Sequence, residues 1–204
     1  MHNLEKIEYK PVSVKEVLTE MKDLSEVMLD LAYSAVLFHS VELAEEVLEL
    51  EERIDTLSYL LDMSIMLAAR DAEDAEALAG IATVAAATNE ISDAAADIAS
   101  LVLQEIGLHS VIREAFQKIE ERLMRTEIKS GSLLDRKKIG ELELAANIGV
   151  DIIAIRRGKK WIIDPEMKEE IMEGDFLIVR GAPLGIQKLR DIASGKTRTF
   201  DGGD

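Results

Sequence analysis

From Glu45 to Ile65 the apolar residues step by three and four: Val47, Leu50, Ile54, Leu57, Leu61 and Ile65. That spacing lines one face of a long amphipathic helix. The helix needs partner helices against which to bury that face, and the flanking sequence supplies them. Ser13 followed by Glu16 is a capping box that opens a helix through Leu18, Met21, Leu24, Met28, Leu31, Ala35 and Phe38. His39-Ser40 breaks it, and Ser40 caps the central helix, which runs to about Arg70. An alanine-rich third helix is expected over about residues 74–106, ended by Gly107 as its C′ residue. Ser110 then caps a fourth helix through Val111, Ile112, Ala115, Phe116, Ile119 and Leu123. Short loops between long helices imply antiparallel neighbours in an all-α helical bundle.

Beside the apolar face of the central helix runs an acidic stripe. Glu51 and Asp55 are four residues apart, and Ser58 and Asp62 continue the line. Like charges at that spacing repel by a few tenths of a kcal/mol, which a cation or a partner chain relieves. The third helix repeats the pattern with Asn89, Asp93 and Asp97. Two such stripes on facing helices offer oxygen donors of the kind hard and borderline divalent metals take. The plainer reading is a set of solvated or interface carboxylates, and spacing alone leaves both open.

The Glu51-x-x-x-Asp55 pair followed by Asn89-Glu90-Ile91-Ser92-Asp93-Ala94-Ala95-Ala96-Asp97-Ile98-Ala99 resembles the two halves of a PhoU repeat. The resemblance implies metal binding by an acidic pair from each helix. Glu51, Asp55 and Asp93 match that pattern. The first acid of the second pair is replaced by Asn89, which brings a carbonyl oxygen without charge. Glu90 stands where the family usually has arginine and is an alternative donor. Full PhoU proteins hold two three-helix repeats and this chain about one, so a homodimer would restore the missing half.

Near Arg125 the period changes. Glu127-Ile128-Lys129 reads as a strand before the Ser130-Gly131-Ser132 break, and Lys138 to Asn147 as a short helix closed near Gly149. Val150 to Arg156 is β-rich, Arg157-Gly158-Lys159 turns into Lys160-Trp161-Ile162-Ile163, and Asp164-Pro165 stops that strand. Glu173-Gly174-Asp175 turns into Phe176 to Gly181, and Ile186 to Ile192 is a last helix. These landmarks are similar, in order, to the TrkA-C domain, the C-terminal half of the regulator-of-potassium-conductance unit: Ser132-Leu133-Leu134, Ile139-Gly140-Glu141-Leu142, Gly149 to Gly158, Asp164-Pro165 and Glu173 to Gly181. The expected architecture is thus a PhoU-like helical bundle over 1–124 and a small TrkA-C-like α+β domain over 125–204. The resemblance to proteins that pair the two, of an archaeal type, implies a non-catalytic regulatory subunit or ligand sensor of a cation transport system, by family one for potassium. The alternatives are a PhoU-type regulator of phosphate uptake, and a homodimeric interaction module with no small-molecule ligand.

Charge is divided the same way. Residues 1–124 hold nine Lys/Arg and 26 Asp/Glu, a net of −17, whereas residues 125–204 are close to balance with 15 and 14. So acidic a half should repel nucleic acid. There is no cysteine, which excludes thiolate chemistry and fits a reducing compartment. No signal-peptide pattern opens the sequence and no apolar run approaches the roughly 20 residues of a membrane span. A cytoplasmic protein is expected, peripheral to the membrane through a transporter or channel partner. No G-x-G-x-x-G marks a Rossmann nucleotide site, and no nucleophile elbow, H-E-x-x-H or phosphate loop marks an enzyme. Arg156 and Arg157 at the hairpin, and Arg136 and Lys137 ahead of a helix, are the candidate binders of a small anionic ligand; their plainer role is surface charge. The candidate metal residues are Glu51, Asp55, Asn89, Asp93 and Asp97.

Overall fold

A computed structural model describes residues 12–104, 122–197 and 199–200. The chain divides into two compact units, Met1–Gly107 and Leu108–Asp204.

The first unit is an up-down-up bundle of three helices, each packed against the other two: α1 (Val14–Phe38), α2 (Val41–Ala68) and α3 (Ala72–Leu103). Each starts at a side-chain cap that takes one of the free N–H groups of a first turn. Ser13 Oγ accepts from Glu16 N and Ser40 Oγ from Leu43 N, both at 3.3 Å, and Asp71 Oδ1 accepts from Asp74 N at 2.9 Å. His39 closes α1 in the left-handed region (φ 51°) with its N–H on the Ala35 carbonyl. The core is built from Met21, Leu24, Met28 and Leu31 of α1 and Leu50, Ile54, Leu57 and Leu61 of α2. Each such side chain contributes about 2–3 kcal/mol by leaving water. Against them α3 sets small residues, Ala85, Ser92, Ala95 and Ala99, so its backbone approaches closely. Ser92 Oγ lies 3.3 Å from Met28 Sδ across that contact.

In the second unit, β1 (Arg122–Glu127), β6 (Phe176–Gly181), β3 (Val150–Arg157) and β4 (Lys160–Ile163) form a sheet in the order β1-β6-β3-β4, every pairing antiparallel. β2 (Lys137–Lys138) and β5 (Glu170–Ile171) make a separate two-stranded ladder. α6 (Pro183–Ala193) supplies Ile186, Leu189, Ile192 and Ala193 to a core shared with Met124, Val150, Ile155, Leu177 and Val179. Gly185 permits this packing, because a Cβ there would overlap the Ile148 carbonyl oxygen. A bulge between Ile152 and Ala154 leaves the Ile153 carbonyl free to accept from Asp164 N at 2.9 Å.

Three expectations are corrected. Most of the fourth helix, Ser110 to Ile119, lies outside the described residues, but its last position, Leu123, belongs to β1. There the ladder to β6 overrides a helical period that the side chains alone would continue. The short helix over Lys138 to Asn147 is two single turns, α4 (Ile139–Leu142) and α5 (Leu144–Ile148), separated by Glu143 at φ 43°. The strand expected at Glu127 to Lys129 begins earlier, at Arg122. Gly107, the expected end of the third helix, also lies outside the described residues; α3 is defined to Leu103.

Candidate functional site

The acidic stripes of α2 and α3 come together only in part. Antiparallel packing brings Asp55 of α2 close enough to Asp93 of α3 for their charges to couple. The Asp93 carboxyl is pushed above its usual range, first by the partial loss of water around an otherwise exposed side chain, then by the charges of Asp55, Asp97 and Glu90. One turn away, Asn89 Oδ1 is buried with no hydrogen-bond partner. A buried carbonyl without a donor is costly, and it is the kind of atom a cation would satisfy. Glu51, Asp55, Asn89, Asp93 and Asp97 do not close into one cluster: among the described residues, no three His, Cys, Asp or Glu side chains converge as metal ligands. Asp55, Asp93 and Asn89 Oδ1 are the oxygen donors from which a cation site on these helices would have to be built.

The four basic candidates of the second unit have different surroundings. Arg157 is built into the fold. Its Nε and Nη2 donate to the two oxygens of Asp175 at 2.8 Å each, Nη2 also donates to the Glu170 carbonyl at 2.6 Å, and Nη1 donates to Glu169 at 3.2 Å. Asp175 is 1% exposed and also accepts from Met172 N at 2.9 Å. These hydrogen bonds, that to Asp175 first, hold the guanidinium charged more firmly than usual. Arg156, on the other face of β3, stacks over Phe176 at 4.7 Å, and Arg125 over the same ring at 3.9 Å. Arg136 stands exposed at φ 59° with Asp135 4.0 Å away, and Lys137 is exposed on β2. The helix that follows them, α4, is a single turn, too short for the dipole an N-terminal anion site draws on.

Sequence reasoning missed a cavity of about 540 Å³ in this unit. Its walls are Ile139, Leu144, Ile152, Ile153, Pro165 and Met167, with Glu143, Asp151 and Asp164 among the lining residues and no basic side chain. The bulge at Ile153 and the left-handed Glu143 and Asp164 shape it. The lining residues Ile139-Gly140, Val150 to Ile153 and Asp164-Pro165 stand out in the sequence as landmarks of the domain, but nothing in their spacing marks a cavity between them.

A family model described as the PhoU domain matches residues 18–102, and one described as the TrkA-C domain matches residues 123–194. The Ktr system potassium uptake protein C of Bacillus subtilis (strain 168) is 30% identical over 92 residues, which are 45% of this chain and 41% of that protein. The chain thus spans less than half the length of this curated relative. The KtrA regulator-of-conductance C domain in complex with cyclic diadenosine monophosphate aligns at 27% identity and TM-score 0.34, covering 40% of this chain and 94% of that one. The GsuK channel bound to NAD aligns at 18% identity and TM-score 0.33, covering 56% and 21%. No helix among the described residues is long and apolar enough to cross a membrane. In sequence order, then, the chain carries a PhoU domain followed by a TrkA-C domain.

Proposed function

We propose that the chain is a non-catalytic regulatory subunit of a potassium transport system, working as a homodimer at the cytoplasmic face of a membrane transporter or channel. The observation that carries this reading is the succession of the two domain matches in one chain, supported by the 30% identity to a potassium uptake protein. A regulator of this kind acts only if a ligand binds one arrangement of the dimer better than another. The test is tracer uptake in cells with and without the gene, for potassium and for phosphate in parallel. A change in potassium uptake alone supports the proposal. A change in phosphate uptake alone would move the chain to the phosphate regulators, and no change in either would leave an interaction module.

Two ligands belong to the same proposal. Asp55 and Asp93, with Asn89 Oδ1, take one divalent cation; Glu51 and Asp97 extend the acidic field around it. The raised proton affinity of Asp93 and the orphaned amide oxygen support this. Metal analysis of dialysed protein after addition of Mn²⁺ or Zn²⁺ tests it, with the Asp55→Ala, Asp93→Ala double variant as control; equal retention by both proteins would end the idea. In the second unit, Arg136 and Lys137 are the exposed basic groups that would meet a small anion, while Arg157 braces the sheet and Arg156 stacks on Phe176. Titration with cyclic diadenosine monophosphate, the ligand named for the KtrA domain, is the direct probe.

A further inference from the structure

α3 carries two apolar faces, and the three-helix bundle uses one. Ala85, Thr88, Ser92, Ala95, Ala99 and Val102 are buried against α1 and α2. On the adjoining flank, Ala77, Gly80, Val84, Ala87, Ile91, Ala94, Ile98 and Leu101 recur at alternating steps of three and four. This is a strict seven-residue repeat, the pattern of a helix that pairs with another helix. Val84 is 53% and Ile91 47% exposed. Ala77, Gly80, Ala87 and Ala94 are exposed too, and Ile98 and Leu101 half-buried. Open space faces Gly80, where an added Cβ would meet nothing within 4 Å. α3 holds six acidic residues and no basic one, yet none of the six falls on this flank.

The order of sizes identifies the occupant. Lay a second α3 antiparallel so that Ala87 meets Ile91 of the other copy. Then Val84 meets Ala94, Gly80 meets Ile98 and Ala77 meets Leu101, so every layer pairs a branched side chain with a small one. Sliding by one repeat sets Val84 against Leu101, or Ala77 against Ala94, and shortens the overlap. A surface whose large and small positions exchange under a twofold axis is self-complementary, as a closed dimer requires. The flank is about 36 Å long. With a helix about 12 Å wide, two flanks cover roughly 900 Å² in all, near the ~1,000 Å² of a specific interface.

We propose that this flank of α3 is the interface through which two copies of the chain pair, as an antiparallel helix dimer. The proposal builds on the homodimeric reading above and gives it a location. The twofold axis sets Glu90 beside Glu90 of the other copy, so pairing should tighten as added salt screens the rim.

The absence of cysteine makes a clean test. The full chain carrying Glu90→Cys should form a disulfide-linked dimer under mild oxidation, and Asp93→Cys, on the flank facing α2, should not. Ala87→Ile and Ile91→Ala should each lower the Glu90→Cys crosslink at least tenfold. The two together restore the large-to-small layers and should restore the crosslink, with circular dichroism confirming the helices in every variant. Light scattering separates the ways of failing. A dimeric mass without the Glu90→Cys crosslink overturns this interface and leaves the homodimer, whereas a monomeric mass at every concentration overturns both. A crosslink that the double swap fails to restore refutes the antiparallel register.

Discussion

Arg157→Ala is expected to destabilise the second unit by about 3 kcal/mol, and the reason is the carboxylate it leaves behind. Asp175 is 1% exposed and accepts three hydrogen bonds, two of them from Arg157 at 2.8 Å. Without the guanidinium, Oδ1 loses the Arg157 Nε donor and Oδ2 keeps the Met172 N–H at 2.9 Å. Removing one member of a buried pair costs about 3–5 kcal/mol, mostly as the penalty of an uncompensated charge. The Arg157 side chain is 30% exposed, so water can enter the gap and the lower end of that range applies. The reverse change, Asp175→Ala, leaves Arg157 with Glu169, the Glu170 carbonyl and solvent, and should cost only about 1–2 kcal/mol. The asymmetry is the test. Trp161, the one tryptophan of the chain, sits on β4 of this unit, so urea unfolding followed by its fluorescence reports this unit even if the helical bundle melts separately. A loss below 1 kcal/mol for Arg157→Ala, or equal losses for the two variants, would refute the reasoning.

Gly185→Ala should destabilise the same unit by about 1–3 kcal/mol, because its Cβ meets the Ile148 backbone, which cannot rotate away; a wild-type urea midpoint would contradict it. Asp71→Ala should lower the melting point of the helical unit, costing about 1 kcal/mol through loss of the bond to Asp74 N, as read by circular dichroism. Asp93→Asn should stabilise that unit at pH 7 by a few tenths of a kcal/mol, a small effect because the group is well solvated. The sign follows from a carboxyl raised on folding above its model value of 3.8: the native state binds the proton more readily, so stability falls as pH rises from 3.8 through the native value. The gain of Asp93→Asn should therefore vanish below about pH 3.8, and bound metal should reverse it at pH 7.

The helices were legible because their signals are local. Ser13, Ser40 and the period of Leu50, Ile54, Leu57 and Leu61 act over one or two turns, and the same residues cap and fill the observed bundle. The hairpin at Gly158 was legible for the same reason, since a residue at φ 61° between two β-rich runs is a short-range instruction. β1 was not, because Leu123 and Met124 become strand only through β6, more than fifty residues on. The Asp55 and Asp93 encounter followed from spacing on two helices, but how far Glu51 and Asp97 stand from it depends on rotation about the helix axes, which spacing does not encode. Arg157 shows the opposite failure. Beside Arg156 it reads as half of a basic surface pair, yet alternation sends the two to opposite faces of β3, one onto Phe176 and the other onto Asp175.

The pairing of β1 with β6 also sets a timetable for synthesis. The three helices of the first unit meet through nearby stretches of chain and can close as soon as α3 has emerged. Arg122, by contrast, has no ladder partner until Gly181 is made, which at 5–20 residues per second is a delay of about 3–12 s. Throughout that interval β1 is a strand edge in search of a neighbour. Its Arg122, Arg125 and Glu127 are the charges that keep such an edge from pairing with the nascent chain beside it.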